Sequence, residues 1–256
     1  MNIFKQFYKS LYSPKDVATF RFQGIGKTIL YVFFLALLSI IPTFYNLSSG
    51  LTNAIEVVGE TIEQKFPDFT IENGTLTSNQ DEPVEIRRGD FRIFFDSTGE
   101  TEIGDINSND EVLAILKHDI VLASGGTVDS YSYSLLEDMD ITKQDVQTFL
   151  ESVDSALIIF LPILFVIMYI FSAGLDFLEI TILAVIGLIV VSSLGRDVKY
   201  GQLWRLTAYS ITLPTVFFMI MSFLKTNVPG ALFIHWGITI IFLYLTIKEI
   251  PAKNKL

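Results

Sequence analysis

The sequence predicts an α-helical membrane bundle of about five membrane helices, with a small α+β extracytoplasmic domain inserted into it. Three observations carry this. Half of the 256 residues are hydrophobic, 22 of them Phe, and the mean hydropathy is +0.48, above what a soluble domain of this length carries. The net charge of −10 is unevenly spread. Residues 47–154 hold 23 Asp/Glu against 6 Lys/Arg, whereas the rest holds 5 against 12. Finally, the apolar residues outside 47–154 fall into long uninterrupted runs, as a bilayer requires. The segments are 1–27, a basic amphipathic cytoplasmic stretch; 28–46, the first membrane helix; 47–154, the acidic domain; 155–247, helices two to five; and 248–256, a basic tail.

Residues 1–15 read "MNIFKQFYKSLYSPK". Ile3, Phe4, Phe7, Tyr8 and Leu11 recur at helical spacing with Lys5 and Lys9 on another face, which predicts an amphipathic interfacial helix ending before Pro14. The run Thr28–Tyr45 is long enough to span, and no small-residue cleavage site follows it. It reads as a retained helix, with the N-terminus cytoplasmic because its flank is basic.

In the acidic domain both ends look helical. Leu51, Ile55, Val58, Ile62 and Phe66 share one stripe, and Val146, Phe149, Leu150 and Val153 another, the second headed by a Thr142/Asp145 capping box. The two are expected to pair as a stalk. Between them, "DFTIENGTLT" predicts a hairpin around Asn73-Gly74, and "PVEIRRGDFRIFFD" a strand, a Gly turn and a strand. "SNDEVLAILK" predicts a short helix with a Ser108/Glu111 capping box. "DIVLAS" and "DSYSYSL" predict further strands.

The apolar run 156–194 has 39 residues. As one helix it would measure about 60 Å, twice a hydrocarbon core. It is therefore expected to fold back, and "SAGLDFLE" around Gly174 is where it has a chance to. Asp176 and Glu179 then lie in an interfacial turn. The competing reading keeps them inside the bundle as a pair that binds a cation or a partner. Two further segments, 206–224 and 230–247, are separated by "KTNVPG". Charge complicates the count. Five crossings place six Lys/Arg on each side, whereas a single net crossing by 156–194 places eleven inside and only Lys225 outside. The two readings leave the side of the C-terminus open.

Motifs for chemistry are sparse. There is no Cys and only two His, so neither a disulfide nor a thiolate or His-cluster metal site is expected. "DSTGET" at 96–101 has Ser97 and Glu100 where a phosphorylated-Asp loop of the pump type needs Lys and Thr, so a turn is expected. "DINSNDEVLAIL" fails as a calcium loop at Asp110 and Leu116. No hydrolase or nucleotide-binding signature is present. The expectation is a protein that is not an enzyme, has no cofactor and does not bind nucleic acid. Its partners would be the lipid bilayer, other membrane proteins and an extracytoplasmic ligand of unknown chemistry. The candidate polar positions within the membrane are Asp176, Glu179 and His235, the last expected beside Trp236 at an interface.

"LYSPKDVATFRFQGIGKTILYVFFLALLSIIP", followed by "FPDFTIENGTL" and "FFDSTG", resembles a family of uncharacterised membrane proteins of Gram-positive bacteria. Some of its members are labelled maltodextrin-utilisation membrane proteins from genetic neighbourhood. The resemblance implies an integral plasma-membrane protein and supplies no catalytic residues. "YGQLWRLTAYSITLP" is similar to a stretch of Yip-type membrane proteins. That similarity implies a scaffold or adaptor with this stretch on the cytoplasmic side. The leading expectation is an accessory, scaffold or sensing protein linked to sugar uptake, and the alternative is a component of a transporter.

Overall fold

The computed structural model describes residues 2–88, 91–136 and 139–252. Helices α1 (Ile3–Ser10) and α2 (Pro14–Thr19) precede α3 (Ile25–Lys65). Eight strands follow: β1 (Phe69–Glu72), β2 (Thr75–Ser78), β3 (Val84–Arg88), β4 (Phe91–Phe95), β5 (Glu111–Ile115), β6 (Asp119–Ser124), β7 (Thr127–Ser132) and β8 (Ile141–Thr142). The chain ends with α4 (Lys143–Ser193), α5 (Tyr200–Ser210), α6 (Thr212–Phe223) and α7 (Ala231–Lys248). Residues 1–48 and 161–256 form one compact unit and residues 49–160 another.

The first unit is a helical bundle. Tyr31, Val32 and Leu35 of α3 share a core with Ile180 and Leu183 of α4, Leu203, Leu206 and Tyr209 of α5, and Leu243 and Ile247 of α7. Gly187 allows this packing: a Cβ there would lie 3.1 Å from methyl groups of both Leu203 and Leu243. Among the described residues, four helices are long and apolar enough to cross a membrane: Ile25–Lys65, Lys143–Ser193, Tyr200–Phe223 and Ala231–Lys248.

Four, not five, is a correction. The run 156–194 does not fold back at Gly174, which is ordinary helix inside the 51 residues of α4. The length argument fails because lipid need not cover the whole run. Val190, Val191 and Leu194, in its last turns, join the core that holds Val17, Val198 and Ile250. Protein covers one side of these turns, while Ile189 stays exposed on the other. With the turn gone, Asp176 and Glu179 lie on a helix, three residues apart and therefore on one face.

Helix α1 forms and stops before Pro14 as expected, but its buried side differs. Gln6 and Ser10 are buried, Ile3 and Phe7 pack on the bundle core, and Phe4 and Tyr8 are exposed. Gln6 is accommodated by a polar ring with Gln23 and the Tyr209 hydroxyl, which satisfies groups that burial would otherwise penalise.

The acidic unit holds a three-stranded sheet, β2-β1-β8, and a five-stranded sheet, β3-β4-β5-β6-β7. The Asn73-Gly74 hairpin is present, with both residues at positive φ (51° and 72°), as the two-residue turn requires. The Gly89-Asp90 turn lies outside the described residues, between antiparallel β3 and β4. The helix expected at 108–117 is instead strand β5, parallel to β4 and antiparallel to β6. Its Val-Leu-Ala-Ile run is flanked by strands on both edges, where continuous apolar sequence is the rule. Both ends are helical, but Phe149, expected on the packed stripe, is 65% exposed. Ile62, Phe66, Val146 and Leu150 pack on the sheet core. The Thr142 N–H and the Asp145 N–H are capped by each other's side chains, at 2.9 and 3.3 Å. Lys143 Nζ donates to the Phe66 carbonyl at 2.7 Å, a cation at the end of α3 where free carbonyls collect.

Candidate functional site

Glu179 of α4 accepts a hydrogen bond from His235 Nδ1 of α7 at 2.8 Å, with side-chain exposures of 18% and 17%. On the other ring edge, His235 Nε2 is 3.4 Å from Thr215 Oγ1 of α6. The Thr215 hydroxyl hydrogen is already given to the Ile211 carbonyl at 2.7 Å. His235 thus joins α4 and α6 through its two ring nitrogens.

One turn earlier on α4, Asp176 is within electrostatic reach of both Glu179 and His235. Its Oδ2 is buried without a hydrogen-bond partner. The site therefore holds two carboxyl groups and one imidazole among apolar helices, with Phe218 5.8 Å from the His235 ring. A group of this composition can take up or release a proton, or rearrange when its charge changes. The Thr215-His235-Glu179 order superficially matches a nucleophile-base-orienter series. Nucleophilic attack needs the hydroxyl proton to point at the base, and here it points at Ile211.

All three polar positions expected from the sequence come together. One placement differs from the expectation: Asp176 and Glu179 are not in a turn; His235, in the first turns of α7, pairs with Glu179. Trp236 packs against the bundle core, with its Nε1 buried and without a hydrogen-bond partner. Thr215 was not singled out by sequence; one Thr in an apolar run gives no signal, because Thr also bonds back to its own helix.

In the acidic unit Asp96 is fully buried. It accepts from the Thr98 N–H (2.8 Å) and hydroxyl (2.7 Å), the Gly99 N–H (3.1 Å) and the Thr101 N–H (2.7 Å). Burial pushes its carboxyl up, but the bonds from Thr98 and Thr101 outweigh it and hold it below the ordinary value. "DSTGET" is a turn built on a carboxylate. Between the helical ends of this unit, a cavity of about 730 Å³ is lined by Glu56, Glu63, Glu151 and Asp154 over Ile55 and Leu150. Among the described residues no group of three or more His, Cys, Asp or Glu is arranged to hold a metal ion.

A family model described as a protein of unknown function, DUF1189, matches residues 4–247. No curated protein and no solved structure matches the chain.

Proposed function

The chain belongs to the DUF1189 family, and within it we propose a non-enzymatic accessory or sensing protein of the bacterial plasma membrane. Its bundle crosses the bilayer four times, and its acidic unit lies outside. The orientation rests on charge. Lys5, Lys9, Lys15, Arg21 and Lys27 precede or open α3, Arg196 and Lys199 lie between α4 and α5, Arg205 lies within α5, and Lys248 ends α7. With α4 crossing once, all of these fall on one side, and of the Lys/Arg beyond residues 47–154 they leave Lys225 alone on the other, as the positive-inside rule requires for segments near the spans.

The observation that carries the sensing role is that two helices each serve two cores. Helix α3 gives Tyr31 and Leu35 to the bundle core and Ile62 and Phe66 to the sheet core. Helix α4 gives Ile180 and Leu183 to the first, Val146 and Leu150 to the second. A ligand that reorders the acidic unit bears on α3 and α4, whose residues also belong to the bundle core, and α4 carries Asp176 and Glu179. The intramembrane group is then the bistable element that the signal biases.

Asp176, Glu179 and His235 favour a second reading, a component of a transporter that moves protons or cations. Flux assays separate the two. Purified protein in liposomes with an imposed ion gradient is expected to show no proton flux, and cross-linking in native membranes is expected to capture a stoichiometric membrane partner. Flux that Glu179→Gln abolishes would replace the accessory reading with transport.

A further inference from the structure

We propose that the basic end of the bundle is a binding surface for anionic phospholipid headgroups, with Arg21 and Arg205 holding a phosphate. The inference deepens the membrane reading above and rests on it.

The surface is assembled from both ends of the chain. Arg205 Nη1 donates to the Arg21 carbonyl at 3.0 Å, and Arg196 Nη2 to the Lys248 carbonyl at 3.0 Å. The Arg196 main chain also pairs with that of Ala252 in an isolated antiparallel bridge. Helices α1, α2, α5 and α7 pack on one another, and these segments with their flanks carry nine cations, the five further ones being Lys5, Lys9, Lys15, Lys27 and Lys199, against three carboxylates, Asp16, Asp197 and Glu249. Asp16 is already paired with Lys9.

The arginines are the informative residues. An arginine at a protein surface ordinarily finds a carboxylate or water for its five donors. Here Arg21 donates to the Ala18 carbonyl and Arg205 to that of Arg21. Among the described residues, Arg21, Arg196 and Arg205 form no ion pair. The Nε atoms of Arg196 and Arg205 are buried and unpartnered. A phosphate matches the missing acceptor, because the guanidinium fork binds it bidentately.

The apolar surroundings identify the source of that phosphate as lipid. Phe4, Tyr8, Tyr12 and Phe22 are 64%, 61%, 59% and 70% exposed. They run on into the exposed Ile25, Ile29 and Leu30 at the start of α3. The Arg21 guanidinium sits 4.1 Å over the Phe22 ring, a cation on an aromatic face. Aromatic rings and cations alternating beside an apolar span are the pattern of the headgroup layer. A soluble acidic partner would leave those rings in water.

The test uses the full chain in nanodiscs of phosphatidylcholine alone or with phosphatidylglycerol, with bound lipid counted by native mass spectrometry. Phosphatidylglycerol is expected to be retained selectively and to raise the melting temperature. Arg21→Gln and Arg205→Gln are each expected to lower its retention about fivefold. Should either variant fail to fold, Lys5→Gln/Lys15→Gln removes two exposed charges and is expected to weaken retention in the same direction. Equal retention of both lipids would overturn the proposal, as would unchanged selectivity in all variants. The same stabilisation by inorganic phosphate in phosphatidylcholine discs would overturn the lipid assignment. Failure to enter discs of either composition would instead overturn the membrane reading itself.

Discussion

Two carboxylates, Asp96 in the acidic unit and Glu179 in the bundle, show how differently the two regions accommodate charge. Asp96 is fully buried, and residues 98–101 supply all four donors it uses. Glu179 retains some exposure, and its donor, His235, lies 56 residues away on another helix. The first carboxylate shapes a loop and depends on nothing beyond it. The second joins two helices, so its charge state bears on how they pack. A loop of this kind is a structural device, whereas an ion pair between helices can be a switch.

The contrast is broken most severely at His235. His235→Ala leaves Glu179 without a donor among apolar helices and is expected to cost about 3–5 kcal/mol. The loss should appear as a lowered melting temperature, while the acidic unit keeps its β-sheet circular dichroism. Asp96→Ala strands donors of the 98–101 loop and is expected to cost about 3 kcal/mol, confined to the acidic unit. Its pH dependence sharpens the comparison. Because the folded carboxyl titrates below its ordinary value, Asp96 contributes stability above about pH 4 that is lost as pH falls through the folded value. Acid titration of the wild type should show that loss, and Asp96→Ala should remove it. Gly187→Ala is expected to cost about 1–2 kcal/mol, since Leu203 and Leu243 must give way; unfolding in mixed micelles reads it. Glu85→Gln breaks an exposed pair with Arg87 and should change the melting of the acidic unit by under about 0.5 kcal/mol.

The same contrast governs what the sequence made legible. The Asn73-Gly74 hairpin and the Thr142/Asp145 cap rest on neighbours within three residues, and both were readable. Strand β5 was not, because five apolar residues suit a buried strand as well as a helix, and its parallel partner β4 lies across a long loop. The unbroken α4 was hidden for a related reason. Run length bounds a helix only if lipid covers all of it, and the core around Val17 and Ile250 that packs on one side of its last turns comes from distant segments. Sequence singled out Asp176, Glu179 and His235 as polar groups in apolar runs. Their meeting required α4 to continue and α7 to pack beside it. The arginine surface left no trace because its signal is an absence of partners, visible only in three dimensions.

Single-cysteine labelling tests most directly the claim that α4 crosses the membrane once. The chain has no cysteine of its own, and Glu100, Asp197 and Thr226 are exposed. An impermeant maleimide applied to intact cells is predicted to label Glu100→Cys and Thr226→Cys, and Asp197→Cys only after lysis. Labelling of Asp197→Cys on intact cells with Thr226→Cys protected would mean that the run 156–194 crosses twice, which would contradict the account.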